Sequence, residues 1–172
     1  MIKMIGAFLI IGISTLAGFF YGQKFSARCY ILKLWLCIID IFQTEIYYEA
    51  RRLPEVFQRT ALLLQDRRFS NAFTKLSKSL EFGTSQDFET TWHLFLRETG
   101  EGMFVKEDYL VLGELGNYLG ITNREDQLAK LKTCQASLVM NLQLAEREQS
   151  KRTRLYRYLG FAIGAIIVLW LV

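Results

Sequence analysis

The chain of 172 residues holds one proline, one histidine and three cysteines, and each scarcity excludes a class of protein. Cys29, Cys37 and Cys134 form no C-x-x-C pair and have no histidine cluster beside them, so neither a zinc site nor a redox pair is indicated. Their odd number fits a reducing compartment, and they read as small apolar packers. With only Pro54 as a breaker and no sustained period-two alternation, a sheet has little to form from, and the class is all-α. Nucleotide-binding loops are absent too. Gly113, Gly116 and Gly120 match neither G-x-x-x-x-G-K nor G-x-G-x-x-G. His93, among Trp92, Leu94, Phe95 and Leu96, reads as an ordinary helix histidine, not a catalytic base. No catalytic residue, metal ligand or cofactor is assigned, and the chain reads as a non-enzyme.

Charge is missing from both ends. Met4 to Gln23 and Tyr158 to Val172 are uncharged and mostly apolar, which predicts transmembrane helices over 2–23 and 156–172 with a helical domain over 24–157 between them. At about 1.5 Å per residue the first run is roughly 30 Å long and the second only about 22 Å. The second spans if Arg157 snorkels and the bilayer thins slightly. Lys24, Arg28, Lys151, Arg152, Arg154 and Arg157 flank the two runs, so the positive-inside rule places the domain on the cytoplasmic side. These cations suit anionic lipid headgroups. Lacking aromatic interleaving or a reader motif, they do not indicate nucleic acid. A secretory signal ending at the small residues Thr15 and Ala17 competes with the first anchor, but the apolar run continues through Phe19, Phe20 and Tyr21.

The middle reads as an antiparallel bundle of about six helices, the first and last continuing into the spans. Ile31, Leu34, Trp35, Ile38, Ile41, Phe42 and Ile46 mark one stripe of a long first helix that stops near Leu53, before Pro54. Val56, Phe57, Ala61 and Leu64 mark a second helix; Phe69, Phe73, Leu76 and Leu80 mark a third. A fourth, capped by Thr84 or Ser85, carries Phe88, Trp92, Phe95 and Leu96 and ends at Gly100 and Gly102. A fifth runs from about Val105 to Leu119. The last opens on the capping-box pair Thr122 and Glu125, carries Leu128, Leu131, Gln135, Leu138, Leu142 and Ala145, and continues for about 50 residues. Gly160 and Gly164 form a G-x-x-x-G that would allow close helix contact.

Two carboxylates stand beside apolar stripes: Glu45 next to Ile46, and Glu114 among Leu110, Leu112, Leu115 and Leu119. A carboxylate in such a seam needs a partner, either a tyrosine or arginine within the bundle or a protein or cation outside it.

Gly113-Glu114-Leu115-Gly116 resembles the G-E-x-G helix motif in the cytoplasmic domains of F-type platform proteins of type II secretion. Taken with Glu45-Ile46-Tyr47-Tyr48 ahead of Leu53-Pro54, with Asn123-Arg124-Glu125-Asp126-Gln127, and with Arg154-Leu155-Tyr156-Arg157 entering the last run, the chain resembles the stage III sporulation protein AB family over essentially its whole length. The resemblance implies a membrane component of the channel complex between mother cell and forespore, in the outer forespore membrane on the mother-cell side. Expected partners are the sporulation AA ATPase, other membrane proteins of that complex and membrane lipid; the single repeat, against two in platform proteins, leaves room for homo-oligomerisation. Some platform proteins bind calcium, but no ligand set is placed on this chain. Glu45, Tyr48, Gly113, Glu114, Gly116, Asn123 and Arg124 are the candidate partner-binding or bundle-locking residues. The competing reading is a two-span sensor with an extracytoplasmic helical ligand-binding domain, which topology would distinguish.

Overall fold

A computed structural model describes residues 26–81, 88–120 and 123–171; between 152 and 171 the described side chains are those of Leu155, Leu159, Ala162, Ile166 and Val168. The first expected span, Lys24, the caps proposed at Thr84 or Ser85, and Thr122 lie outside the described residues. Among those described there is no strand. The elements are α1 (26–43), a π-helical turn Thr44–Tyr48, α2 (Leu53–Leu63), α3 (Arg67–Glu81), α4 (Phe88–Gly100), α5 (Lys106–Gly116) and α6 (Arg124–Leu171). The chain divides into two compact units: Ile31–Asn141, and the chain ends up to Tyr30 and from Leu142.

The core of the first unit is aromatic. Trp35, Phe57, Phe69, Phe73 and Trp92 are fully buried, with Phe42 and Phe95 beside them. Trp35 takes edge-on contacts from Phe69, Phe73, Trp92 and Phe95 at centroid separations of 5.9–6.3 Å. Edge-to-face pairs set the electropositive rim of one ring against the electron-rich face of another, adding about 0.5–1.5 kcal/mol beyond burial. The Trp35 indole nitrogen is buried without a hydrogen-bond acceptor.

The expected stripe on α1 is shifted. Ile31, Trp35, Ile38, Phe42 and Ile46 are buried as expected, but Leu34 and Ile41 are half-buried, while Leu32 and Ile39 are fully enclosed. The buried seam therefore steps 31/32, 35, 38/39, 42, with a flank one residue round from the one the sequence suggests. The expected residues of α2 and α3 are buried except Leu80, which is half-buried.

Antiparallel α2 and α3 are laced by serines. Ser70 Oγ donates to the Ala61 carbonyl at 2.7 Å and Ser77 Oγ to that of Pro54 at 2.8 Å. Asp66 caps α3, accepting from the backbone N–H of Arg68 and Phe69 at 2.9 and 3.2 Å. From there α3 packs on α4 and α4 on α5.

α5 stops a turn earlier than expected, at Gly116 instead of Leu119. The N–H groups of Asn117 and Tyr118 bond three residues back, to Glu114 and Leu115, tightening the helix into a turn that closes at Gly120, whose φ is +79°. The following cap also differs from expectation. Asn123 Oδ1 accepts the Asp126 N–H at 2.8 Å, so Asn123 caps α6.

α6 buries Gln127, Leu131, Cys134, Leu138 and Ala145 at alternating four- and three-residue steps and then one full heptad. Leu128, Gln135 and Leu142 are only half-buried. Against α1, Gln135 Nε2 donates to Asp40 at 2.7 Å and Gln43 Nε2 donates to Gln135 Oε1 at 3.0 Å, a polar pairing of the kind that fixes helix register. In the unit of the chain ends, Arg28 pairs with Glu148 at 3.9 Å, and its side chain is 14% exposed. α6 continues without a break through Gly160 and Gly164 to Leu171. No described helix is long and apolar enough to cross a membrane.

Candidate functional site

The sequence candidates fall in two places within the Ile31–Asn141 unit. The first is the end of α1. Thr44 Oγ1 donates back to the Asp40 carbonyl at 3.0 Å, and the Glu49 N–H reaches Thr44 O five residues back at 3.3 Å. This competition for carbonyls widens the helix into the π turn. Glu45 enters the core side of that turn and is 7% exposed. Tyr48 points outward, 77% exposed, with Tyr47 edge-on to it at 5.1 Å. Ala50 then adopts φ +54°, which reverses the chain so that Arg51 returns over Glu45.

Burying a carboxylate costs several kcal/mol unless cations and donors surround it. Here Arg51 Nε lies 2.6 Å from Glu45 Oε2 and Arg59 Nε lies 3.6 Å from Oε1. Arg51 also reaches Glu49 at 3.6 Å. The first contact is an ion pair without an aligned hydrogen bond. Of the two expectations for Glu45, the arginine partner within the bundle is the one observed. Among the described residues no three acidic, histidine or cysteine side chains group to hold a metal ion.

Beside this cluster opens a cavity of about 340 Å³, lined by Arg51, Arg52 and Arg124 together with Ile46, Leu53 and Gly120. The Asn123 cap fixes where α6 begins and so places Arg124 at the rim. The structure thus brings Glu45 and Arg124 to one end of the unit, with Tyr48 on the π turn two residues before Ala50.

Gly113, Glu114 and Gly116 lie elsewhere, on α5 against α4. A Cβ built on Gly116 would stand 2.5 Å from Trp92 Cδ1, and one on Gly113 would stand 2.9 Å from His93 Cε1. Both glycines therefore admit side chains of α4. The expectation that Glu114 sits in a buried seam is corrected: the motif turns its glycines toward α4 and leaves Glu114 exposed. Glu114 borders a small cavity of about 80 Å³ with Tyr118, Lys130 and Cys134. Burial, and secondarily the Glu114 charge, push the Cys134 thiol up to about 12, so it stays protonated at neutral pH. His93 is half-exposed, 4.0 Å from Glu89.

The family model described as stage III sporulation protein AB matches residues 3–172. The chain belongs to that family. It is 27% identical over 172 residues to stage III sporulation protein AB of Bacillus subtilis (strain 168), covering 99% of both chains. A solved structure of a stage III sporulation protein AB aligns with a TM-score of 0.61 at 25% identity, covering 73% of this chain and 98% of that one. The helical bundle and the sporulation family are thereby shown together.

Arg51, Arg52, Arg59 and Asp108 were not among the sequence candidates. The Arg51-Arg52 pair directly before Leu53-Pro54 was a readable signal of a charged helix break. Asp108 was readable from its place three residues after Val105, where a carboxylate can reach back to accept the backbone N–H of the residue that precedes the helix.

Proposed function

We propose that this chain is a membrane-anchored assembly subunit of the sporulation channel complex between mother cell and forespore, whose helical unit docks a secretion-type ATPase on the cytoplasmic side. The observation that carries this reading is the extent of the family match, which takes in both uncharged ends as well as the helical middle. In support, α6 joins that middle to the C-terminal uncharged run in one continuous helix. The run itself is shorter than a full crossing, so the anchor needs the help of flanking Lys151, Arg152, Arg154 and Arg157 at the headgroups. Hydrolysis belongs to the ATPase in this reading, and the subunit acts through binding and rigidity.

The reading is tested by a topology reporter inserted near Gly100, carbonate extraction of the membrane fraction, and co-purification with the sporulation AA ATPase. A cytoplasmic reporter, resistance to carbonate and recovery of the ATPase are expected. An external reporter would establish the sensor topology instead, and release by carbonate would remove the anchor. Repeating co-purification with Glu45→Ala and Glu114→Ala separates the two candidate regions: loss with Glu114→Ala in a folded protein assigns docking to the exposed face of α5.

A further inference from the structure

We infer that the arginine-lined cavity at the start of α2 and α6 is a docking site for a carboxylate of an acidic peptide segment on a partner protein. Arg51, Arg52 and Arg124 line it, and no carboxylate is among its lining residues. Arg51 and Arg59 are engaged by Glu45 and Glu49, which leaves Arg52 and Arg124 without an ion pair to any described residue. Two guanidinium groups without an ion-pair partner thus line one cavity, and the planar donors of arginine match a carboxylate bidentately. The backbone adds to this. α2 begins at Leu53, a lining residue, with no side-chain cap on its N-terminus, whereas α6, which begins at Arg124, is already capped by Asn123.

The lining also contains Ile46 and Leu53. A free inorganic anion has no use for that apolar surface, whereas a peptide carrying an apolar residue next to its carboxylate fills both parts. The cavity's 340 Å³ is ample for such a pair of side chains. The exposed Tyr47 and Tyr48 precede the same loop, and tyrosine with arginine is the composition of interface hot spots. Arg124 opens α6, while the uncharged run begins only at Tyr158, which favours a protein over lipid headgroups as the occupant. The cavity's chemistry stands by itself, and calling the occupant a partner protein rests on the platform reading.

The test uses the full chain in detergent micelles and a fluorescein-labelled peptide of alternating glutamate and leucine, read by anisotropy. Combining Arg52→Glu with Arg124→Glu is expected to weaken binding at least about tenfold, while Lys78→Glu on the outer face of α3 leaves it unchanged. The milder pair Arg52→Gln and Arg124→Gln, checked by circular dichroism, gives the same direction should charge reversal disturb folding. Equal binding by the double variant, equal loss in Lys78→Glu, or equal binding of a lysine-for-glutamate peptide overturns the inference. So does a double variant that loses only its sedimentation with phosphatidylglycerol vesicles and keeps the peptide, which would assign the arginines to lipid. Failure of ATPase co-purification with peptide binding intact counts against the platform reading alone.

Discussion

Trp92 on α4 donates its indole N–H to the Leu112 carbonyl on α5 at 2.8 Å, and the bare Cα of Gly116 is what lets the indole lie there. A helix-interior carbonyl rarely accepts a side-chain donor from a neighbouring helix, because side chains normally hold the backbones apart. The glycine removes that spacer at the one position facing the ring.

Gly116→Ala is therefore expected to destabilise the protein by about 1–3 kcal/mol, since the new methyl meets a fully buried indole that has nowhere to move. Gly113→Ala meets the half-exposed His93 ring, which can swing outward, and gains about 1 kcal/mol in helix propensity. Its stability should match or exceed the parent's. Urea denaturation of both variants checks the contrast, and equal losses would show that the two glycines share one role.

Asp108 is fully buried, accepts the Val105 N–H at 3.1 Å and takes the Asn141 amide at 2.9 Å, tying the start of α5 to α6. Asp108→Ala leaves the exposed Val105 N–H and the half-buried Asn141 amide without this acceptor, with an expected loss of about 1–3 kcal/mol. Asn141→Ala removes only the bond to α6 and should cost less. Thermal unfolding of the two variants measures the ratio.

At Glu45 the order of effects is diagnostic. Arg51→Ala leaves a buried carboxylate with only the more distant Arg59, and is expected to cost on the order of 2–3 kcal/mol. Glu45→Gln removes the charge and frees two exposed arginines, so it should cost less. A larger loss in Glu45→Gln than in Arg51→Ala would mean that the carboxylate makes contacts beyond these arginines.

The cysteines differ in environment: Cys37 is exposed, Cys29 and Cys134 are buried. Iodoacetamide at pH 8 should alkylate Cys37 alone in the folded protein, as read by mass spectrometry. The raised Cys134 thiol also affects stability. Its folded value of about 12 exceeds the reference value of 9.0, so its contribution is complete below about pH 9 and is lost as pH rises toward 12. Replacing it in Cys134→Ala should flatten the alkaline fall in the urea midpoint over that window.

Much of the fold was legible because its signals are local. The three- and four-residue steps of Phe69, Phe73 and Leu76, and Pro54 at the start of α2, depend on chain neighbours alone. What escaped depended on distant ones. Leu32 and Ile39 are as apolar as Leu34 and Ile41, and only the packing of the aromatic core decides which flank of α1 is enclosed. Glu114 reads as buried because leucines surround it in sequence, yet Gly113 and Gly116 face α4 and turn it outward. Glu45 reads as needing a partner, with tyrosine and arginine both open, and its arginines come from across a loop whose path depends on the conformation of Ala50.

That conformation gives a last prediction. Ala50 is the one non-glycine residue with positive φ among those described, and for an L-residue the left-handed region costs about 1–2 kcal/mol. Ala50→Gly relieves this strain while adding about 0.4–1 kcal/mol of unfolded-state entropy, so the folded state should gain up to about 1 kcal/mol. Ala50→Val, with a branched Cβ in the same backbone conformation, should instead lose more than about 1 kcal/mol. The pair is informative for the arginine cavity because Ala50 lines it and directly precedes Arg51. If the strained turn holds the arginines in place for an acidic segment, Ala50→Gly will be more stable yet bind the glutamate and leucine peptide more weakly. Stability and affinity moving together would show that the turn serves only to return Arg51 to Glu45.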